Sequence, residues 1–481
     1  MIHVIEGVAL TSLERFGLDV LLDASRLLRT DDSGVPATPL CIVEGAEPSS
    51  LEALRAADWG LMVSAEDLAV SRGALRTLGR VAGLEAEARS DAADRFGRVP
   101  ASVNVLVQEG LEREPVVSRA AARLRASVAA VAGTRPYAEV PAWPRNRAWA
   151  VALTHDVDVL AGWPAFTALR LAELLRRGEA GRAAQVVFAA LGAVGRNPPL
   201  GGIREVIAAE EAQGARSTWY FLCGDPSLST WLRGDLTYRP EGKPMRVALE
   251  LVQRAGGEIG LHGSFEAWLD AGRLVAERER LARISSNRVE GARQHFLRAR
   301  PGRTHAAMER AGFSHDATMG FADRNGFRTG TCDVLPAWNT ETQTPLSLQL
   351  APLVWMDRVQ SKYHGIEEPG RWVEEALQLA NVVRDLGGLW CGLWHPNLSD
   401  ALGFPGAMPA YRALCAALAS DAPWFCSVSE AVAWRTQRRS LRARGISGDG
   451  TFQVSAPAGV TAIDLRDRTG RTLPTVLAGA A

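Results

Sequence analysis

The chain has 481 residues, 47% hydrophobic and 22% charged, which is enough for two to four globular domains with ample core. Its 54 basic and 54 acidic side chains cancel to a formal net charge of +0, so neither a nucleic acid nor an anionic membrane is advertised as a partner. Six cysteines, none in Cys-x-x-Cys spacing, argue against a thiolate zinc site or a redox pair.

In chain order, Met1 to Glu6 lacks a basic region followed by an apolar core, and no secretory signal is read there. Residues 1–140 are expected to form a small α/β domain. Its predicted strands are Thr38–Val43 and Trp59–Val63, and its predicted helices are Ser49–Ala57, Glu66–Leu78 and Pro115–Ala132. Pro136 to Arg147, with Pro141 and Pro144, reads as a linker. Residues 148–438 alternate strands (Trp149–Leu153, Ser217–Leu222, Glu258–Leu261, Leu389–Trp394, Trp424–Ser427) with helices (Arg204–Gln213, Pro244–Ala255, Leu274–Ala292, Arg371–Asp385). That alternation predicts a parallel sheet, and its length favours a barrel over an open sheet. An Arg- and Ala-rich amphipathic insertion, Trp163 to Arg196, is expected to pack on the barrel in preference to a membrane surface. Thr342 to Met356, the longest stretch free of Asp, Glu, Lys and Arg, is too short and polar to span a bilayer, and a cytoplasmic location is the default expectation. Residues 446–481 read as a short β tail with a turn at Asp467-Arg468-Thr469-Gly470.

The chemistry concentrates at strand ends. Thr154-His155-Asp156-Val157-Asp158 follows the apolar run Trp149–Leu153, so Asp156 and Asp158 point to one face and His155 to the other. Neighbouring carboxylates repel, and a bound cation or a raised pKa reconciles them. Gly256-Gly257-Glu258-Ile259-Gly260-Leu261-His262 brings an imidazole to a second strand exit. Carboxylate plus neutral imidazole suits Zn, with Fe or Co as alternatives.

The order of these motifs resembles the polysaccharide deacetylase family of chitin- and peptidoglycan-type carbohydrate esterases, in a divergent branch opening with Thr-His-Asp-Val-Asp. The resemblance covers roughly residues 148–435. It runs on through Ser217–Leu222, Glu258–Ser264, Gly291-Ala292-Arg293-Gln294-His295-Phe296, Asp316–Phe321 and Gly392-Leu393-Trp394-His395. Asp94-Arg95-Phe96-Gly97-Arg98 is similar to the accessory N-terminal domain of that branch. The resemblance implies a distorted (β/α) barrel of about seven strands that hydrolyses an acetyl group from a carbohydrate, a surface-polysaccharide precursor in the first instance. It assigns Asp156 as general base, Arg293 as its orienting partner, His395 as general acid and Asp316 as the group that fixes His395. Asp158 and His262 become ligands of a divalent metal, and Trp394, Phe296 and Phe321 apolar contacts for the sugar or acetyl methyl. The family's second motif ends in a His where this chain has Glu266, so the third ligand is either Glu266 or, preferred here, His295. Met356-Asp357, after Leu353-Val354-Trp355, offers one more carboxylate at the same rim. Two alternatives stay open: a metal-independent hydrolase of non-peptide C–N bonds on the same barrel, and a non-catalytic carbohydrate-binding relative.

Overall fold

The computed structural model describes residues 1–55, 59–64, 67–228, 230, 235 and 238–478. Among these, two sheets organise the chain. The first has strands β1 (Ile2–Glu6), β2 (Arg29–Thr30), β3 (Thr38–Val43), β4 (Leu61–Val63) and β5 (Leu68–Ser71). The second begins with β6 (Ala150–Val157), β7 (Thr218–Leu222), β8 (Glu258–Gly263), β9 (Gly291–Gln294) and β10 (His315–Asp316). It continues with β11 (Leu335–Asn339), β12 (Thr344–Leu350), β13 (Trp355–Met356), β14 (Leu389–Leu393) and β15 (Trp424–Phe425). Three last strands, β16 (Arg442–Ile446), β17 (Phe452–Ser455) and β18 (Thr475–Ala478), belong to the first sheet.

The first sheet runs β18-β17-β16-β2-β1-β3-β5-β4. The carboxyl-terminal tail therefore extends the amino-terminal sheet, joined where Arg442 pairs with Arg29. Glu139, inside the expected linker, bridges Leu27 and Arg466 and ties the same parts together. Two predicted helices shrink here. Ser49–Ala57 keeps a 3-10 turn at Glu52–Arg55, with 56–57 outside the described residues. Glu66–Leu78 becomes β5 and then a helix, Arg72–Ala82, with Glu66 itself outside the described residues. Ser71 makes that break, because its hydroxyl accepts the Ala74 N–H and caps the helix at its start.

The second sheet is a distorted (β/α) barrel. Its order is β11-β12-β10-β9-β8-β7-β6-β14-β13, with β15 also on β6. All ladders are parallel except β11 against β12. The ring is completed irregularly by the chain between β12 and β13. There Ala351 N–H reaches Asp316 O at 2.9 Å, Leu353 N–H reaches Met319 O at 3.2 Å, and Val354 N–H reaches Cys391 O at 2.9 Å. Helices between the strands bury apolar faces on the sheet, as Met245, Leu249 and Val252 do from Lys243–Arg254. Every residue of β6 is buried, which explains its unbroken apolar run.

One predicted helix overran. Leu274–Ala292 ends at Ser285, Ser286 turns left-handed at φ 56, and Gly291-Ala292 opens β9. A Cβ at Gly291 would stand 1.9 Å from His315 Nε2, so any other residue would force that buried ring to shift. The insertion forms helices Trp163–Arg176 and Ala180–Gly192. It is pinned to the barrel by Thr167, whose hydroxyl reaches Ala401 O at 2.9 Å, and by Arg170 and Arg177 on Glu367. No helix among the described residues is long and apolar enough to cross a membrane.

Candidate active site and metal centre

Parallel pairing brings the carboxyl ends of β6, β8, β9 and β14 to one rim, the rim at which such barrels bind ligands. His262 lies opposite Arg293 across the β8–β9 ladder, and Leu393 lies opposite Thr154 across β14–β6. Five residues singled out from the sequence, Asp156, Asp158, His262, His295 and His395, line one cavity of about 300 Å³.

Asp158, His262 and His295 form a cluster whose potential ligand atoms all lie within 4.8 Å of one another. His262 Nε2 is 3.3 Å and His295 Nε2 is 3.6 Å from Asp158 Oδ1. Two ligands on a tetrahedral ion with bonds of about 2.1 Å are separated by about 3.4 Å, so the donor set is spaced for one cation. Each imidazole is also held from behind. His262 Nδ1–H donates to Arg293 O at 2.9 Å, and His295 Nδ1–H to Asp235 Oδ1 at 2.8 Å. With Nδ1 of each ring engaged behind, Nε2 is the nitrogen that faces the cluster, the orientation that a metal ligand needs. Burial works against ionisation of Asp158, but His295, His262 and His395 outweigh it and hold the carboxyl well below its usual range. Burial also opposes a charged His262, and the carboxylates of Asp156 and Asp158 outweigh it and raise its pKa. The alternative third ligand, Glu266, is half exposed, lies 3.8 Å from Arg298 and belongs neither to the cluster nor to the cavity lining.

Asp156 sits beside the cluster, with Oδ2 3.6 Å from His262 Nε2. Its Oδ1 accepts from Arg293 Nη1 at 2.9 Å. Arg293 is fully buried and over-determined: the same nitrogen donates to Thr154 Oγ1 at 2.9 Å, Nε donates to Ala317 O at 2.9 Å, and the guanidinium lies 4.6 Å from the Tyr220 ring centre. Burial opposes that charge, yet Asp156 keeps the guanidinium above its ordinary pKa. On the other side, His395 Nε2 is 3.6 Å from Asp158 Oδ2.

It is similar to solved polysaccharide deacetylases. A structure from Mycobacterium smegmatis carrying that name shares 22% identity over 61% of this chain and 92% of its own, with a TM-score of 0.41. A peptidoglycan N-acetylglucosamine deacetylase, Bc1960, shares 12% over 60% of this chain and 89% of its own, with a TM-score of 0.32. A pseudoenzyme of the CE4 family from Bacillus anthracis shares 8% over 60% and 66%, with a TM-score of 0.32. No family model and no curated protein matches the chain.

Three expectations need correction. Asp316 does not touch His395. Its Oδ1 accepts the Thr318 N–H at 2.9 Å and the Thr318 hydroxyl, and its Oδ2 is 3.6 Å from His305 Nε2. It thereby shapes the turn that delivers Ala317 O to Arg293. The partner of His395 is Asp357, which takes the ring Nδ1–H at 2.7 Å and the backbone N–H at 2.6 Å. Burial lowers the His395 pKa, but Asp357, with Asp158 and Asp156, outweighs it and raises the value to about 9. Trp394 lies in the core instead of the cavity, against Tyr411, Trp355 and Trp372. Phe321 is buried and does not line the cavity either.

Phe296 does line it. Its ring stacks on His295 at 4.1 Å and on Phe96 at 5.1 Å. Phe296 (φ 59) and Leu297 (φ 52) are both left-handed, a costly conformation for such side chains. Arg98 of the amino-terminal segment secures the turn, donating to Phe296 O at 3.2 Å and Tyr363 Oη at 3.1 Å. Asp235 left no signal in the sequence, because it stands in no motif. Asp357 carried one: like Asp156 and Asp158, it falls at the carboxyl end of an apolar strand.

Proposed function

We propose that this chain is a metal-dependent hydrolase that removes an acyl group, acetyl in the simplest case, from a carbohydrate. The observation that carries the reading is the Asp158–His262–His295 donor set, at separations suited to one cation, with Asp156 on one side and His395 on the other in a single cavity. Zn is the first choice for two imidazoles and a carboxylate, with Fe or Co next. When bound, such an ion supplies Lewis-acid polarisation of the acyl carbonyl and acidifies water at the site.

The chain's own residues supply the proton chemistry. Asp156 accepts a proton from the attacking water, and the Arg293 guanidinium fixes its orientation by a charged hydrogen bond. His395 carries a proton on Nε2, kept there by Asp357 behind it, and gives it to the departing amine or alkoxide. Phe296 offers an apolar face at the cavity. In this reading the barrel of residues 148–438 performs the reaction. Residues 1–140 brace its rim through Phe96 and Arg98, and strands β16, β17 and β18 extend their sheet. A surface-polysaccharide precursor handled in the cytoplasm is the proposed setting.

Acetate release from N- and O-acetylated oligosaccharides tests this directly. Wild type should release acetate, and Asp156→Asn and His395→Gln should each reduce kcat by about 10²- to 10⁴-fold. Equal rates in all three proteins would contradict the assignment.

A further inference from the structure

The cavity has two walls of opposite character. One holds the carboxylates and imidazoles already described. The other, from the helix Asp357–Tyr363 and the amino-terminal segment, presents Arg358, Lys362 and Arg98. Arg98 has its own carboxylate, Asp94 Oδ2, at 2.7 Å from Nε. Arg358 donates to Ser361 Oγ at 3.0 Å and lies 4.6 Å from the Phe404 ring centre. The Lys362 ammonium lies 5.4, 5.5 and 5.9 Å from the ring centres of Phe96, Tyr363 and Phe296. Among the described residues, neither Arg358 nor Lys362 has a carboxylate within 4.0 Å. The nearby carboxylates are engaged elsewhere: Asp156 with Arg293, Asp158 with His262, His295 and His395, Asp357 with His395, and Glu173 and Glu367 with Arg170 and Arg177.

Cations gathered in a half-buried wall lose hydration and repel one another, and aromatic faces repay only part of that cost. Burial lowers the Lys362 pKa to about 8, the charges of Arg358, Arg98 and Arg95 press it the same way, and the Asp158 carboxylate opposes them. An anion on this wall would relieve both effects. Arg can hold phosphate or carboxylate by two parallel bonds, and Lys adds a point charge.

We propose that Lys362 and Arg358 form an anion subsite beside the metal cluster, so that the substrate is a sugar bearing a phosphate or carboxylate as well as the acyl group removed. This rests on the hydrolase reading for the acyl group alone.

Calorimetric titration of the full chain with N-acetylglucosamine, N-acetylglucosamine 1-phosphate and an N-acetylated aminouronic acid tests it. At least one anionic ligand should bind about tenfold or more tightly than the neutral sugar, the scale of one charge-assisted hydrogen bond. The phosphate and carboxylate arms identify which anion the wall prefers. A metal also attracts anions, so the variants decide. The affinity ratio should fall to about one in the Lys362→Gln/Arg358→Gln double variant and persist in Lys362→Arg. A ratio of about one in wild type, absence of binding by every ligand, or a ratio unchanged in the double variant would overturn the subsite. The ratio needs no turnover. A chain that keeps it but releases no acetate contradicts the hydrolase reading alone, and one that releases acetate with a ratio of one contradicts the subsite alone.

Discussion

Carboxylate–imidazole groups recur among the described residues of the barrel, and two of them contrast, one on the cavity and one sealed from it. In the first, Asp158 faces His262, His295 and His395, and the two imidazoles of the cluster each have a hydrogen-bond acceptor behind them. Charge is retained there, with Asp158 held low and His395 high. In the second, Asp316 and His305 approach to 3.6 Å with no access to solvent. Burial pushes the Asp316 carboxyl up to about 6, against its hydrogen bonds to Thr318. Burial, with the Arg328 charge, takes the His305 imidazole down to about 3. His155 is a third case, fully buried, with Nδ1 on Trp394 O and Nε2 on Glu210 Oε1, both at 2.7 Å. An imidazole beside a carboxylate is therefore no mark of function by itself. What separates the first group is access, together with partners that preserve its charges.

The largest expected effect is loss of the cluster. His262→Ala or His295→Ala should remove stoichiometric metal from the purified protein, read by elemental analysis, while Asp316→Asn should leave the metal content at the wild-type level. Equal metal in all of these would erase the distinction between the groups. Next comes the residue behind His295. Asp235→Asn should weaken metal affinity by about 10- to 100-fold in chelator competition. Glu266→Gln, on the exposed carboxylate, should leave it unchanged.

A pH profile separates the groups further. His395 acts in its protonated form, so kcat/KM should fall as pH rises through its pKa, which burial lowers and the Asp357 carboxylate raises. Asp357→Asn removes that support, and the alkaline limb should move to lower pH. An unmoved limb would contradict the role of Asp357. The smallest effect belongs to the sealed pair. The folded-state pKa of His305 lies below the ordinary value of 6.5, so its contribution to stability is full above 6.5 and is lost as pH falls toward about 3. His305→Gln should cost about 1–3 kcal/mol in urea unfolding at pH 7. That difference should shrink as pH is lowered from 6.5, with no change in metal content.

Much of the barrel was legible because its strands are local and apolar. Ala150–Val157, Thr218–Leu222 and Leu389–Leu393 each lie within about four residues of the predicted limits. The two-residue strand β10 was not predicted as such, since so short a run carries no period, and β13 shares only Trp355 with the predicted strand Leu353–Trp355. Pairing of β16 with β2 was hidden because it joins residues more than 400 apart. Asp156, Asp158, His262 and His295 were legible because each ends or follows a strand. The partner of His395 was misplaced because sequence order suggests Asp316, whereas register puts β13 beside β14 and Asp357 beneath the ring. Lys362 and Arg358 went unnoticed, since a helix bearing two cations ordinarily shows them to water.

The most direct measurement is anomalous X-ray diffraction from crystals grown with zinc. The proposed metal site predicts one strong peak per chain at about 2.0–2.2 Å from a carboxylate oxygen of Asp158 and from Nε2 of both His262 and His295. A featureless cavity, or a peak held by other residues, would contradict it.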